Sequence, residues 1–416
     1  MKIAMFTDAY FPRINGVAVS VHSYAHELSR LGHHVCVVCL EYTEEQQKST
    51  FFDEKTGDES LPFKIIRIPS TSLGKVSKED RMVKLYKWNF VKKAMDEFKP
   101  DIIHINSEWT VGYFGAIYSR HRHIPFVFTF HTLWEDYLVN YVTFLPEKSL
   151  KKIGIEVVRF YLKRASKIIT PTKNIQEVVS KYGINRESTI LPTGIPDSKT
   201  QISDDDHERM VERIYKRLPQ IRDKKIMLFV GRVVREKNIP FLFDVLEKVR
   251  KTVSNAVLLI VGGGPYLDEL REIVRKRNLD DCVFFTGYID GDILINFYKM
   301  ACVFTFPSKT ETQGLVTIEA MISGLPVVAI GQMGTIDVMQ GDNGGFMVKD
   351  DTMEFAEKTM SLLTDSKLWK QKSLEAQLWG SKWKISSLTP KLIECYVEAI
   401  KNGPYKRWSF HKNKEN

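Results

Sequence analysis

Short runs in which almost every position is apolar, each followed by a stretch with apolar positions three or four apart, recur along the 416 residues. "KIAMFTD" precedes a helical pattern from Val17 to Leu31, and "HVCVVCL", "DIIHINS", "PFVFTFH" and "KIITPT" follow with helical segments interspersed. Strands apolar at successive positions are buried on both faces, and their alternation with helices predicts a parallel sheet covered on both sides. The pattern then restarts with "KIMLFVGR", "AVLLIVGGG", "CVFFTGY", "VFTFPS" and "LPVVAI", each run followed by a helix. Between the two series lies the polar stretch "SDDDHERMVERIYKRLPQIRDKK", with Pro192, Gly194 and Pro196 just upstream. The prediction is an α/β protein of two Rossmann-like, doubly wound parallel-sheet domains, residues 1–195 and 196–375, with a helical segment over 376–416. Two such units in succession make a cleft, and ligands of these sheets bind beyond the carboxyl ends of the strands.

Length and composition agree with this organisation. A chain of 416 residues exceeds what one hydrophobic core usually supports. No apolar run approaches the roughly 18 residues that span a bilayer. The start, "MKIAMFTDAYFP", reads as a strand and not as a secretion signal, so a cytoplasmic location is expected. Five cysteines suit reduced thiols, and Cys36 and Cys39, three apart on a strand, point to opposite faces and make a poor redox pair. The net charge of +9 is uneven, with 27 basic against 21 acidic side chains in residues 1–195. A basic surface suits phosphates, nucleic acid or anionic lipid.

The turns after the strands hold the unusual residues. Gly16, in "DAYFPRINGVAVSV", precedes a helix whose free N–H groups suit an anion. Arg232 and Lys237 project from one strand-to-helix loop, a planar fork beside a mobile point charge, as a phosphate clamp needs. "VGGGPYLDEL", with Gly263 at its centre, makes a tight turn but lacks the Gly-Lys-Ser/Thr of a P-loop and the spacing of a dinucleotide fingerprint. In "ETQGLVTIE", Gly314 and Leu315 begin a helix whose dipole favours a negative ligand. Glu311 and Glu319 cannot bind that anion, whereas ionised carboxylates accept hydrogen bonds from neighbouring sugar hydroxyls. One glutamate on a transferred sugar and the other on a ribose, with phosphates between, describe a nucleotide-sugar site.

With the Gly16 turn, "TFHT", "PTGI", "FVGRVVREKN", "VGGGP", "FTGYI" and the Glu-x7-Glu stretch ending "EAMISGLPVV", nearly the whole chain resembles the retaining glycosyltransferases of family four. The resemblance implies the two-domain GT-B fold and transfer from a nucleoside-diphosphate sugar with retained anomeric configuration and no required metal or other cofactor. It implies that Arg232 and Lys237 neutralise the leaving diphosphate, that Glu311 contacts the donor sugar and Glu319 the ribose, and that Gly16 approaches the phosphates from the first domain. The acceptor attacks from the leaving-group face, and no protein nucleophile is required. His131, at the end of "PFVFTFH", is implied to lie close to the reacting sugar, positioning it or handling the acceptor proton. The last helix is implied to cross back to the first domain, and "LTPKLIECYVEAIKNG" has suitable periodicity.

Many family members have an aromatic residue where this chain has Gln313, after Thr312. "ETQGL" with "FHTLWEDYL" is similar to the bacterial branch that glucosylates diacylglycerol at the inner membrane surface. Membrane contact has its own support in "RMVKLYKWNFVKKAMDEF", where Val83, Tyr86, Phe90, Ala94 and Phe98 recur beside Arg81, Lys84, Lys87, Lys92 and Lys93. "EKSLKKIGIEVVRFYLKRASK", with Lys151 and Lys152, is a second basic amphipathic candidate of the kind that binds anionic lipid. The expected activity is therefore transfer of glucose from UDP-glucose to the 3-hydroxyl of diacylglycerol by a peripheral enzyme of the inner membrane face. The competing acceptors are phosphatidylinositol, another glycolipid or a soluble sugar. Nucleotide-sugar epimerisation fits the full phosphate and Glu-x7-Glu set poorly, and nucleic-acid binding leaves both glutamates unexplained.

Overall fold

The computed structural model describes residues 1–12, 16–42, 61–72, 81–131, 146–197, 202–289, 291–311 and 313–404. They divide into two compact units, Met1–Gly194 together with the chain from Leu388 onward, and Ile195–Ser387.

The first unit opens with β1 (Lys2–Phe6), α1 (Gly16–Arg30), β2 (His34–Leu40), β3 (Lys64–Ile68) and the short hairpin of β4 (Thr71–Ser72) and β5 (Arg81–Met82). It continues through α2 (Trp88–Phe98), β6 (Ile102–Ile105), α3 (Thr110–Arg122), β7 (Phe126–Thr129), α4 (Glu147–Leu162), β8 (Lys167–Thr170), α5 (Lys173–Lys181) and β9 (Ser188–Ile190). Seven strands form one sheet in the order β3-β2-β1-β6-β7-β8-β9, all its pairs parallel. Ile3 lies opposite Val35 on one side and Ile102 on the other, so the chain direction along the sheet reverses at β1. β2 is buried along nearly its whole length, Cys36 and Cys39 included, which is why its sequence shows no polar alternation.

The basic stretch near residue 81 is built differently from the single amphipathic helix its periodicity suggests. Arg81 belongs to β5, and its guanidinium donates to Ser70 Oγ at 2.6 Å and to the Ser70 carbonyl at 2.7 Å. The helix begins only at Trp88, and Val91 and Met95 turn into the core while Val83 is buried ahead of it. Tyr86 and Phe90 point the other way, 69% and 46% exposed, alongside exposed Lys84 and Lys93. Lys87 lies over the Tyr86 ring, and Lys92 is paired with Asp96 at 2.7 Å. The apolar stripe therefore splits into an inward part and an outward aromatic pair. On α4, Lys151 is paired with Glu147 at 2.7 Å and Lys152 is exposed.

The second unit runs through α6 (Asp204–Arg217), β10 (Lys225–Val230), α7 (Pro240–Arg250), β11 (Ala256–Val261), α8 (Leu267–Lys276), β12 (Val283–Gly287), α9 (Gly291–Met300) and β13 (Val303–Phe306). α10 (Leu315–Ile322), β14 (Val327–Ile330), α11 (Gly334–Met339), β15 (Gly345–Val348), α12 (Thr352–Thr364) and α13 (Ser366–Gly380) complete it. Its parallel sheet has the order β12-β11-β10-β13-β14-β15, with Met227 paired to Leu258 on one side and Val303 on the other. All six residues of β11 are buried, so both faces are covered by helices. Asp351 and Asp365 cap α12 and α13 by accepting from the second and third amides beyond each of them.

The final helix, α14 (Ile385–Asn402), passes to the first unit at Leu388, not at 376. Residues 376–387 stay with the second unit because Ala376 packs on Gly344, Trp379 Nε1 donates to the Val338 carbonyl at 2.7 Å, and Ile385 N donates to Ile195 O at 2.9 Å. Further along α14, the Tyr396 hydroxyl meets His104 Nδ1 at 2.7 Å and Glu398 pairs with Lys167 at 2.7 Å, which ties the helix to β6 and β8. Among the described residues no helix is long and apolar enough to cross a membrane.

Candidate active site

Two doubly wound sheets supply two switch points, and the chemistry-bearing residues gather at the carboxyl ends of strands beside each. In the second unit the chain leaves β10 for β11 and β12, then returns to β13 on the other side of β10. The loop after β10 carries exposed Arg232 and ends in a single 3-10 turn, Arg235–Lys237, closed by Asn238 at φ 54°. The loop after β13 carries Ser308 and Glu311. Lys237 Nζ donates directly to Glu311 Oε1, although 74 residues separate them in the chain. Ser308 Oγ donates to the same carboxylate oxygen at 3.2 Å, and Gly334 N donates to the Glu311 carbonyl at 2.8 Å. The two charged side chains are 18% and 16% exposed, buried enough to hold each other in place and open enough to meet a ligand.

Lys237 has three N–H donors and Glu311 takes one, so the same ammonium can bind a phosphate oxygen while the carboxylate keeps its position. Arg232 makes no ion pair with another described residue and presents its fork to solvent. Gly314, at φ 73°, starts α10 without a capping side chain, which leaves first-turn amides available to an anion. Glu319 lies one turn into that helix, and its Oε2 accepts from Tyr298 at 2.9 Å. Burial and the adjacent carboxylate raise the Tyr298 phenol well above its usual range, so it stays a donor. Gln313 is 5% exposed, Leu315 is half-buried as the first helical residue, and Thr312 lies outside the described residues.

The glycine-rich turn after β11 approaches the loop after β10 from the side. A Cβ at Gly262 would lie 1.9 Å from the Gly231 carbonyl oxygen, and one at Gly264 would lie 2.2 Å from that of Val233. At Gly263 a Cβ meets nothing closer than 3.7 Å. The close backbone approach of the turn thus falls at Gly262 and Gly264, while the carbonyl of Gly263 accepts from Val233 N at 2.9 Å.

In the first unit, β1 and β6 flank the switch. Asp8, just beyond β1, accepts from Ser107 Oγ at 2.6 Å, Thr110 Oγ1 at 2.9 Å, Val111 N at 2.8 Å and Gly112 N at 3.4 Å, and so caps α3 across the sheet. Burial raises its carboxyl above the usual range, while these four bonds pull the other way. Gly16 opens α1 as an exposed residue. His131 follows β7, and its Nε2 lies 3.4 Å from Asn106 Oδ1, beyond the end of β6. His104, inside β6, is bonded at both ring nitrogens, to Tyr396 and to Thr129 Oγ1 at 2.7 Å each. Among the described residues no three His, Cys, Asp or Glu side chains are grouped as cation ligands would be.

Burial holds the His131 imidazole down at about 4, and burial together with the neighbouring His131 holds His104 at about 3. Both rings are neutral in the fold, whereas in the unfolded chain they take up a proton near pH 6.5. Their contribution to stability is therefore complete above about pH 6.5 and is lost as pH falls towards 4. Thermal unfolding between pH 7.5 and 5 is expected to show on the order of 1–2 kcal/mol of loss per histidine. His104→Gln should flatten that slope relative to wild type, whatever it does to stability at pH 7.5. An unchanged slope would mean that His104 is not held neutral.

Asp8, Asn106, Ser308 and Tyr298 were not singled out by sequence reasoning. The available signal was positional for three of them: each of Asp8, Asn106 and Ser308 stands one or two residues beyond an apolar strand. Tyr298 gave none, since it reads as one more apolar residue of a helix.

Each unit is a doubly wound parallel sheet, and the second brings a cation, a carboxylate and an uncapped helix start to one switch point. The family described as Glycosyltransferase Family 4 matches residues 14–199, and Glycosyl transferases group 1 matches residues 211–378. An alpha-monoglucosyldiacylglycerol synthase of Streptococcus pneumoniae is 31% identical over 80% of this chain and 71% of its own length. One of Acholeplasma laidlawii is 28% identical over 85% and 86%. Among solved structures, Anabaena HepE in complex with UDP superposes with a TM-score of 0.73 at 17% identity, covering 95% of this chain and all of its own. The chain belongs to glycosyltransferase family four and is an enzyme that transfers a hexose.

Proposed function

We propose that the enzyme transfers glucose from UDP-glucose to the 3-hydroxyl of 1,2-diacylglycerol, with retention, as a peripheral protein on the cytoplasmic face of the membrane. The observation that carries the donor half is the Lys237–Glu311 contact at the switch point beside the uncapped start of α10. Breaking the sugar–phosphate bond develops charge on the diphosphate, and Arg232, Lys237 and the α10 amides are cations and dipoles already in place to stabilise it. This assignment calls on no metal or other cofactor. Glu311 takes the sugar hydroxyls and Glu319 the ribose, since carboxylates that accept from one side still have acceptor sites on the other.

His131, neutral at the pH of the cytoplasm, is a weak base and acts here by hydrogen bonding. It orients the sugar or the incoming hydroxyl, and the departing phosphate takes the proton. The acceptor half is supported by the names of the two relatives and by the first unit's surface. Tyr86 and Phe90 stand outward among Lys84, Lys87 and Lys93, an arrangement suited to an anionic lipid surface.

The test is a radiolabel assay with purified protein, vesicles of dioleoylglycerol in anionic phospholipid, and UDP-glucose, UDP-galactose or GDP-mannose in parallel. Label is expected in the lipid phase from UDP-glucose, more slowly when the phospholipid is zwitterionic. Incorporation from another donor alone would replace the sugar assignment. Slow donor hydrolysis without lipid product would remove diacylglycerol as the acceptor.

A further inference from the structure

A cavity of about 750 Å³ opens in the first unit between the start of α3 and the length of α4. That volume lies within the roughly 300–1,000 Å³ of pockets that hold small molecules. Its walls are Trp109, Tyr113, Ile153, Val157, Phe160 and Tyr161, with Ser149, Lys152 and Glu156 among the residues contributing polar groups. Tyr113 and Phe160 stack obliquely at 6.0 Å, and the Arg164 guanidinium covers the Phe160 ring at 4.3 Å. The Tyr161 hydroxyl, the one polar atom of that side chain, donates to the carbonyls of Glu108 and Trp109 at 3.2 and 3.4 Å. Its bond to the backbone is thus already made, and the ring faces the cavity with hydrocarbon. Tyr113 and Ile153, 38% and 48% exposed, are large apolar groups that the unit leaves open to solvent.

We infer that this cavity binds one acyl chain of the acceptor lipid, a role that rests on the lipid-acceptor reading above. Three observations choose that occupant. Apolar walls of this extent exclude a sugar or nucleotide, whose hydroxyls and phosphates would lose water without replacement. The side of the cavity nearest the sheet is formed by Glu108, Trp109 and Thr110, which directly follow Asn106 and Ser107 at the end of β6. A chain seated there places its glycerol end beside Asn106 and His131, the edge where an acceptor hydroxyl is needed. The helix that forms the opposite wall carries exposed Lys148 and Lys152, cations matched to the anionic surface from which a diacylglycerol would be drawn.

The experiment compares dioleoylglycerol with dihexanoylglycerol as acceptors for wild type, Val157→Trp and Ile153→Trp, with thermal unfolding of each. Val157→Trp fills the cavity and Ile153→Trp narrows it from an exposed position that folding tolerates. KM for the long-chain acceptor should rise at least tenfold while that for the short-chain one changes less than twofold and kcat is kept. Equal changes for both acceptors, or none in a folded variant, overturn the inference. A diacylglycerol with a diazirine on one acyl chain, photolysed in vesicles with wild-type protein, reads the site without turnover. Labelled peptides from 108–113 and 149–161 support it, and labelling confined elsewhere, as when another part of the chain fills the cavity, overturns it. Wild type that makes no lipid product would sink the proposed function instead, and the photolabel would then decide the cavity alone.

Discussion

Replacing Glu311 with Gln, or Lys237 with Met, is expected to lower kcat/KM for sugar transfer by about 10²–10³-fold, the loss typical of removing one preorganised charge-stabilising group. Each substitution keeps the size of the side chain and removes one member of the ion pair at the switch point. On the proposed roles, the amide that replaces the Glu311 carboxylate can still meet a sugar hydroxyl but no longer holds the Lys237 ammonium where diphosphate charge would develop. In Lys237→Met the carboxylate remains without its cation and repels an incoming phosphate. Breaking a pair that is 18% and 16% exposed also costs stability, about 1–3 kcal/mol by comparison with fully buried pairs, because the survivor is left partly desolvated. The double variant Lys237→Met/Glu311→Gln should recover part of that stability while remaining inactive, since residues in direct contact do not add. Urea unfolding and initial rates measured together separate the two effects. Transfer near the wild-type rate in either folded single variant would remove the pair from the site.

The second large effect is expected at the turn after β11. Gly264→Ala should destabilise the second unit by about 2–4 kcal/mol, and Gly262→Ala by a similar amount, because each new methyl would stand inside contact distance of a backbone carbonyl that belongs to another loop. Gly262 also sits at φ 146°, which alanine adopts only with strain. Relief requires the loops after β10 and β11 to separate, and the first of these carries Arg232 and Lys237. Weaker binding of UDP should therefore accompany the lost stability. Gly263→Ala, whose methyl would meet nothing closer than 3.7 Å, is the control and should fall within about 0.5 kcal/mol of wild type. Equal unfolding midpoints for all three would show that the loops part without cost.

The two sheets were legible because their strands are buried on both faces, as in "AVLLIV", and such runs leave little room for another assignment. The residues at strand ends were legible for the same reason, since once the strands are located the turns after them are known. Contacts across the chain were not. Nothing local tells Lys237 that Glu311 is its neighbour, or His104 that Tyr396 is, 292 residues away. Periodicity also misled where two faces compete. Between Arg81 and Phe98 the helical spacing of Val83, Tyr86 and Phe90 is genuine, yet Val83 precedes the helix and is buried while the two aromatics face out. Of the 376–416 segment expected to cross back, only the part from Leu388, where "LTPKLIECYVEAIKNG" begins, joins the first unit, and pattern alone does not reveal which unit a helix face meets. Among three consecutive glycines, sequence could not tell which two lie against carbonyls.

The attachment of α14 to the first unit has a consequence for how the chain acquires its structure. The second unit is one uninterrupted segment and holds every residue it needs once Ser387 has been made. The first unit, although synthesised earlier, lacks the hydroxyl that bonds His104 and the carboxylate that pairs with Lys167 until translation reaches Tyr396 and Glu398. Domains generally fold in the order of synthesis, but here the amino-terminal one cannot be finished before the carboxyl-terminal one is complete. A truncation ahead of Tyr396 would therefore injure the unit built mainly from Met1–Gly194 and leave the residues of the other in place.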